Sequence, residues 1–384
     1  MQARLPFVAL LLVASFALVA FAQQSSQSGT SMSDREKAGL HGPVKTMRTE
    51  QTFSAPDGHE LHTSTMTLYA PDGRTLEVRI QQSDGSEWVT SHTYDSNGRL
   101  LRIANGKANS APATETNYSY DESGRMVGMN LSGDTKFPFP SQVRVQYDDK
   151  GRKSVIETYD SKPLPKDVAY GGGWEGGELG FAPYPGGSLT TQYNEEGVAT
   201  GAELRDPEGK IAGKISRKFD SEGRVLAEAQ SATSSPIDLP EDVRSQLSPE
   251  QIRAMSTLTA GMSNRSISYS YDSRGRVIEQ RTSGGVTGEI TTATTYNDNG
   301  DKATERTTTV QNPEIGRQYI LTESGAVLPE GAPPQAQTPS IYETRHTYEY
   351  DAHGNWTEQT RVGRSDPEGA FGPATVVRRK ITYY

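Results

Sequence analysis

The chain has 384 residues, a net charge of −9 and no cysteine. Disulfides and thiolate metal sites are therefore excluded, and the negative charge argues against a nucleic-acid partner, because phosphate contacts need a basic surface. Leu, Ile, Val and Phe make up about 15% of residues 23–384, below the roughly 20% expected of a compact domain, which argues against a large enzyme with a thick aliphatic core.

The N-terminal 22 residues have the composition of a secretory signal peptide. They carry one charge, Arg4, followed by an apolar run that ends at Ala20-Phe21-Ala22. A short basic start, an apolar middle and an A-x-A end are the parts of a cleaved export signal. We therefore expect an extracytoplasmic protein, periplasmic or secreted. The alternative is a membrane anchor, because the run is just long enough to span a bilayer.

Residues 23–39 are polar, and we expect a disordered linker there. The first strand should begin near Val44. From residue 40 to residue 384, the sequence is organised by a repeat of about 26 residues.

The repeated phrase is an aromatic residue, Asp, two polar residues, Gly and Arg. Looser copies begin at Tyr69, Tyr193, Tyr296 and Tyr350, and a degenerate copy begins at Leu321. Five near-complete copies supply the expected structural repeat residues: Tyr94, Asp95, Gly98 and Arg99; Tyr120, Asp121, Gly124 and Arg125; Tyr147, Asp148, Gly151 and Arg152; Phe219, Asp220, Gly223 and Arg224; Tyr271, Asp272, Gly275 and Arg276.

The phrase predicts a hairpin turn. Asp at the first position and Gly at the fourth suit a type I turn, and a Gly with positive φ forms the bulge that closes the hairpin. Upstream, aromatic pairs such as Tyr118 and Tyr120 lie two residues apart, which puts both on one face of a strand. The sequence predicts an all-β fold, an antiparallel meander of hairpins forming an elongated, curled or partly spiralled open sheet.

The repeat closely resembles the YD repeat of the RHS/YD-repeat family, which includes bacterial RHS proteins and the teneurin shell. The resemblance covers roughly residues 40–384 and implies long β-sheets that can spiral into a hollow shell around another chain segment. No toxin domain or RHS core motif is evident. Asp206-Pro207-Glu208-Gly209 and Asp366-Pro367-Glu368-Gly369 look superficially like part of that motif, but each is expected to be an ordinary turn.

Three insertions interrupt the period. The first, 162–188, is rich in glycine and carries four aromatic residues, Tyr170, Trp174, Phe181 and Tyr184. These are the candidate ligand-binding residues, because loops often carry function and flat rings can stack on sugars. The alternative is that the rings fold back and cap the sheet.

The second insertion, 236–262, contains a helix start at Ser248, with Pro249 at the first helical position and Gln251 completing a capping box. We expect a short helical insertion that covers part of the sheet; the alternative is a docking element for a partner. The third insertion, 331–340, is rich in Pro, Ala and Gln, and is expected to be a loose loop.

The sequence offers little chemistry. His59 and His62 are the only closely spaced histidines, but residues three apart on a strand face opposite sides, so we expect no metal site. The segment 297–301 is rich in side-chain oxygens but lacks the spacing of a calcium loop, and a turn is expected. No cofactor is expected.

These observations favour an exported, non-catalytic protein that acts as a binding or structural surface in the cell envelope or outside the cell. Its partner would be a polysaccharide or an envelope protein. One alternative is a carbohydrate-binding module that uses the aromatic loop 170–185. A second is a shell or accessory protein of a toxin or secretion system. A third is an enzyme with dispersed acidic residues, which would need a pocket lined by at least two carboxylates away from the turns.

Overall fold

The computed structural model of the chain describes residues 32–54, 60–133, 142–159, 186–233, 264–285, 288–311, 320–322, 325–327 and 338–384, together with 245, 247–249, 251–252 and 255. The signal peptide predicted over 1–22 lies outside the described residues. The segment predicted as a linker over 23–39 is described from residue 32, and it contains a helical turn, α1, at Asp34–Lys37.

The described chain is an antiparallel β meander, as the repeat predicted. The strands are β1 Val44–Ser54, β2 Glu60–Tyr69, β3 Thr75–Gln81, β4 Glu87–Tyr94, β5 Leu100–Lys107, β6 Thr114–Tyr120, β7 Met126–Gly133, β8 Gln142–Tyr147, β9 Lys153–Thr158, β10 Ser188–Tyr193, β11 Ala199–Arg205, β12 Ile211–Phe219, β13 Val225–Ala232, β14 Arg265–Tyr271, β15 Val277–Gly284, β16 Gly288–Tyr296, β17 Lys302–Val310, β18 Ile320–Thr322, β19 Gly325–Val327, β20 Ser340–Tyr350, β21 Trp356–Arg364 and β22 Thr375–Tyr383.

The sheet closes on itself, so the prediction of a curled or spiralled open sheet was wrong. Each strand of the 20-stranded sheet pairs with the next, and β22 also pairs with β1, with Thr46 opposite Thr382 and Gln51 opposite Val377. Strand twist and tilt accumulate across many strands until the two outer strands meet. Closure pairs the two outer strands with each other, so neither is left with an unpaired hydrogen-bonding ladder. The β22–β1 pairing is called the seam below.

The degenerate copy at Leu321 does not join this sheet. Strands β18 and β19 form a separate two-stranded hairpin, while β17 pairs directly with β20. The main sheet is therefore interrupted over residues 311–339, a longer interval than the insertion predicted over 331–340. In the second insertion, the predicted capping box is present: the Gln251 backbone N–H donates to Ser248 Oγ, and the Ser248 N–H donates to Gln251 Oε1 at 2.9 Å.

The strands of the closed sheet end at two rims, which are called edges below, and the two differ in the connections between strands. At one edge, the turn edge, all nine connections are five-residue turns, the first at 70–74 and the last at 351–355. At the opposite edge, the loop edge, the connections vary in length, and all three predicted insertions join strands there. The Asp206 and Asp366 turns also lie at the loop edge and close as expected, with Gly209 N–H to Asp206 O at 2.9 Å and Gly369 N–H to Asp366 O at 3.0 Å.

The two faces of the sheet differ in chemistry. The face that carries the repeat tyrosines, the tyrosine face, holds the most buried side chains, including Val143, Val145 and Val155. Buried threonines such as Thr191 and Thr294 occupy equivalent strand positions. The other face, the charged face, carries exposed Arg–Glu pairs. A thin core of this kind needs few aliphatic residues, which agrees with the low aliphatic content.

The N-terminal segment 33–43 docks on the turn edge. Ser33 and Glu36 form a capping box around α1. The Thr75 N–H donates to Asp34 Oδ2 at 2.9 Å, and the Arg35 N–H donates to the Gly73 carbonyl at 3.0 Å. The end of the predicted linker is therefore held by hydrogen bonds to the 70–74 turn.

Candidate binding surface at the loop edge

The turn edge is built from one repeated structural unit. In the copy at Tyr94, the Gly98 N–H donates to the Asp95 carbonyl at 3.0 Å, and Gly98 has φ +81°. The Asp95 carboxylate accepts from the Arg99 backbone N–H at 2.8 Å and from Arg99 Nε at 2.6 Å. The type I turn with a positive-φ glycine, predicted from the sequence, is therefore present.

Each turn also contacts the tyrosine of the next hairpin. The Arg99 guanidinium lies 5.0 Å from the centre of the Tyr120 ring, and Tyr120 Oη donates to the Leu100 carbonyl at 2.8 Å. The same stacking recurs at the pairs Arg74–Tyr94, Arg125–Tyr147, Arg224–Tyr271 and Arg276–Tyr296. Cation–π stacking and a hydrogen bond thus link successive hairpins, even where an insertion separates them in sequence.

These bonds keep the turn carboxylates ionised. Hydrogen bonds from the backbone N–H of the arginine four residues later hold the pKa of Asp95, Asp121 and Asp272 below the ordinary value. A carboxylate with a lowered pKa that accepts several hydrogen bonds is a poor general acid. The turn aspartates therefore serve the structure of the repeat.

The last copy has Asn355 at the position where six of the nine turns of this edge have arginine. Asn355 is 1% exposed. Its side chain accepts from the His41 N–H at 2.7 Å and donates to the His41 carbonyl at 2.9 Å and to Tyr383 Oη at 2.8 Å. Asn355 therefore fastens the N-terminal segment to the seam. Its role was missed in the sequence, because the loss of arginine does not single it out: Val198 and Asp301 also replace the arginine in their copies.

The tyrosine face beside the seam holds a half-buried arginine. The Arg379 guanidinium lies 3.4 Å from the centre of the Trp356 ring, and burial lowers its pKa to about 10. Trp356 also contacts Tyr348 edge to face, with ring centres 6.2 Å apart. This cluster joins β20, β21 and β22 and supports the closure of the sheet.

The four candidate ligand-binding residues, Tyr170, Trp174, Phe181 and Tyr184, lie outside the described residues. The connection that contains them leaves the sheet after β9 and returns at β10, and these two strands are paired. Both ends of the insertion are therefore at the loop edge. Where the insertion begins, Tyr159 is buried and its hydroxyl donates to Glu157 Oε2 at 2.7 Å.

A cavity of about 380 Å³ lies at the loop edge where β22, β1, β2 and β3 are neighbours; it is called the seam pocket below. Its lining is polar, with Val376 as the one aliphatic residue. The residues around it are Arg48, Glu50, Gln51, Thr52, His62, Thr63, Ser64, Gln81, Gln82, Ser83, Gly85, Val376 and Arg378. No motif in the sequence indicates this pocket, because its residues come from separate strands and follow no repeat.

The seam pocket holds one carboxylate, Glu50, so it is not the two-carboxylate pocket that the enzyme hypothesis requires. Among the residues that the structure describes, no group of three or more His, Asp or Glu side chains is placed to hold a metal ion. His59 lies outside the described residues, and His62 Nδ1 is 2.9 Å from Thr52 Oγ1. The Asn297 segment forms a turn, with the Gly300 N–H donating to the Asn297 carbonyl at 3.0 Å.

In the described part of the chain, no helix has the length and apolar character needed to cross a membrane. No family model and no curated protein matches this chain.

Two solved structures align weakly. A porin-like protein from Bacteroides uniformis ATCC 8492 is 11% identical, with a TM-score of 0.30 over 89% of this chain and 98% of that chain. A LolA superfamily protein from Nitrosomonas europaea is 10% identical, with a TM-score of 0.17 over 60% of this chain and 96% of that chain. Alignments at these scores do not establish a common fold.

Proposed function

We propose that this chain is an exported, non-catalytic YD-repeat protein that acts as a binding or structural surface in the cell envelope or outside the cell. The observation that carries the proposal is the difference between the two edges. The turn edge repeats one tight turn nine times, whereas the loop edge collects connections of variable length and the seam pocket. Rigid scaffolds that present variable loops at one end commonly bind there. The loop edge is therefore the proposed binding surface.

The binding role is tested by exchanging one loop. Residues 162–185 are replaced by a short Gly/Asn turn, and binding to purified cell-wall sacculi and to envelope polysaccharides is measured by sedimentation. We expect the exchange to weaken binding while leaving the circular dichroism spectrum of the sheet intact. The matched control is a change at the turn edge, Asn97→Ala, which should bind as the wild type does. Equal binding by all three proteins would contradict a loop-edge surface.

Export rests on the composition of residues 1–22 and is tested separately. Expression of the full chain in a Gram-negative host, followed by intact mass measurement of the periplasmic fraction, should show the loss of residues 1–22. Leu11→Arg, which places a charge in the apolar run, should hold the chain in the cytoplasm, and Leu11→Ile should not. An uncleaved wild-type chain in the cytoplasm would refute export.

A second candidate function is carbohydrate binding through the aromatic loop 170–185. It is favoured because both ends of this insertion are fixed at the loop edge by the β9–β10 pairing. Tryptophan fluorescence titration with polysaccharide should show saturable quenching that Trp174→Ala abolishes. Trp356→Phe, at the turn edge, is the control and should retain binding. Quenching that survives Trp174→Ala would exclude this loop as the sugar site.

Closure of the sheet favours the remaining candidate, a shell or accessory protein of a toxin or secretion system. Such a role requires a second chain held by the closed sheet. Native mass spectrometry of the protein purified from its own cells would show a stoichiometric second chain, and a chain of uniform single mass would contradict this role.

A further inference from the structure

The seam pocket is built on the charged face of four neighbouring strands. Glu50 on β1 lies opposite Arg378 on β22 and opposite Ser64 on β2, and Ser64 lies opposite Gln81 on β3. One row of side chains therefore crosses the seam. It exists only because the sheet is closed, since β22 and β1 are the last and first strands of the chain.

The lining of the pocket contains more basic than acidic side chains. Its lining contains two arginines, Arg48 and Arg378, and one carboxylate, Glu50. Lys380 lies opposite Arg48 across the seam and adds a further positive charge nearby. Glu358, also outside the lining, pairs with Arg378 and offsets one of these charges. The pocket therefore offers an anion arginine donors rather than a strong positive field.

Both arginines retain donors for a ligand. Arg48 Nε lies 2.9 Å from Ser64 Oγ and 3.0 Å from Glu50 Oε1, and Arg378 Nε lies 2.9 Å from Glu358 Oε2. In the described part of the chain these contacts are all made through Nε. The side chains of Arg48 and Arg378 are 48% and 66% exposed. Exposed ion pairs of this kind are weak, so a ligand carboxylate can bind the terminal nitrogens.

The rest of the lining suits a ligand that carries hydroxyl groups. Residues with hydroxyl and amide side chains line the cavity, and Thr52, Ser64 and Gln81 lie on the same face as Glu50. The turn 82–86 is held against β2, since Ser83 Oγ donates to the His62 carbonyl at 2.8 Å. The volume of about 380 Å³ lies at the lower end of the roughly 300–1,000 Å³ of small-molecule pockets. The near absence of apolar side chains argues against a hydrophobic ligand.

From this geometry we propose that the seam pocket binds a small hydroxylated carboxylate, with Arg48 and Arg378 holding the carboxylate and the amide and hydroxyl side chains holding the hydroxyl groups. The inference rests on the proposed role of the loop edge as a binding surface and names a chemical class for one site on it. A sugar acid and a hydroxyl-bearing peptide terminus share this chemistry.

The test is a calorimetric titration of the full chain with D-glucuronate. D-glucose, which lacks the carboxylate, and acetate, which lacks the hydroxyl groups, should each bind at least tenfold more weakly. Seryl-serine tests the peptide source of the same chemistry. The double variant R48Q/R378Q should weaken glucuronate binding at least tenfold, because charged hydrogen bonds are lost.

The control is Arg281→Gln, which removes an arginine that is 65% exposed and paired with Glu279 on the same face but outside the pocket. It should bind glucuronate as the wild type does. If the double variant fails to fold, Gln81→Ala tests the same pocket and should also weaken binding. Absence of saturable glucuronate and seryl-serine binding, or equal binding by wild type and pocket variants, would overturn the proposal.

Failure of the pocket and failure of the loop-edge role give different results. If glucuronate binding is absent but exchange of residues 162–185 weakens binding to sacculi, the pocket proposal is wrong and the loop-edge function stands. If neither perturbation changes any binding, both are wrong.

Discussion

Replacing Asn355 by alanine should open the seam. The change removes three side-chain hydrogen bonds: one accepted from the His41 N–H, one donated to the His41 carbonyl and one donated to Tyr383 Oη. Because Asn355 is 1% exposed, water cannot readily replace these partners in the folded protein. The backbone of the N-terminal segment would be left unsatisfied beside the 351–355 turn.

The expected cost follows from those three bonds. A buried hydrogen bond contributes about 1 kcal/mol net, and a buried polar group left without a partner costs about 1–3 kcal/mol. The loss should therefore be about 3 kcal/mol, concentrated where β22 meets β1. A local opening free energy lowered by about 3 kcal/mol corresponds to amide exchange that is roughly 100-fold faster.

Hydrogen exchange with peptide-level mass spectrometry measures this directly. Amides in 40–54 and 375–384 should exchange about 100-fold faster in Asn355→Ala, while amides of β14 to β16 should change little. Asn97→Ala, at an exposed turn position, is the control for removing an asparagine side chain. Asn355→Asp keeps the acceptor for the His41 N–H but buries a carboxylate beside the His41 carbonyl, so it should be at least as destabilising as Asn355→Ala.

Two outcomes would refute this reasoning. If exchange at the seam in Asn355→Ala stays within threefold of wild type, Asn355 does not hold the seam. Asn355→Arg restores the arginine of the repeat. If this variant is as stable as wild type, docking of the N-terminal segment does not depend on a small side chain at position 355. We expect that arginine variant to be destabilised, because the larger side chain competes with His41 for this buried position.

Three further predictions concern the repeat. Gly124→Val should destabilise its hairpin by about 1–3 kcal/mol, because Gly124 has φ +79° and an added Cβ would lie 3.2 Å from Arg99 Nη1; thermal unfolding against Ser123→Ala tests this, and equal midpoints would contradict it. Tyr120→Phe should cost about 1 kcal/mol, by losing the 2.8 Å bond to the Leu100 carbonyl while keeping the stacked ring; in urea unfolding, Tyr120→Leu should cost more, and an equal loss in the two variants would show that the stacking contributes nothing. The turn aspartates, such as Asp95, have a lower pKa in the folded protein than the value near 3.8 of the unfolded chain. Stability should therefore be constant above about pH 5 and should fall as the pH drops below 3.8 and through the folded pKa. Thermal unfolding across this pH range measures the effect, and Asp95→Asn should make the fall less steep.

Local structure was largely predictable from the sequence. The D-x-x-G turns, the tyrosine pairs on one face, the strand start at Val44 and the capping box at Ser248 all follow from contacts within a few residues. Such features are set by backbone sterics and short hydrogen bonds, which the residue types themselves determine. The degenerate copy at Leu321 shows the limit, because it forms a hairpin but does not enter the sheet.

The candidate surface was only partly predictable. The aromatic loop remains a prediction, since its residues lie outside the described part of the chain. The seam pocket could not be predicted from the sequence, because Arg48 and Arg378 become neighbours only across the seam. A site assembled from the first and last strands leaves no motif in the sequence.

The sequence by itself determined the repeating unit: an Asp–Gly turn, and strands whose paired aromatic residues lie on one face. Only the tertiary structure decided that the sheet closes. Closure depends on twist and tilt summed over 20 strands and on the pairing of Val44 with Tyr383. Each turn contributes a small angle that no local pattern specifies, so the meeting of the two chain ends is a property of the whole sheet.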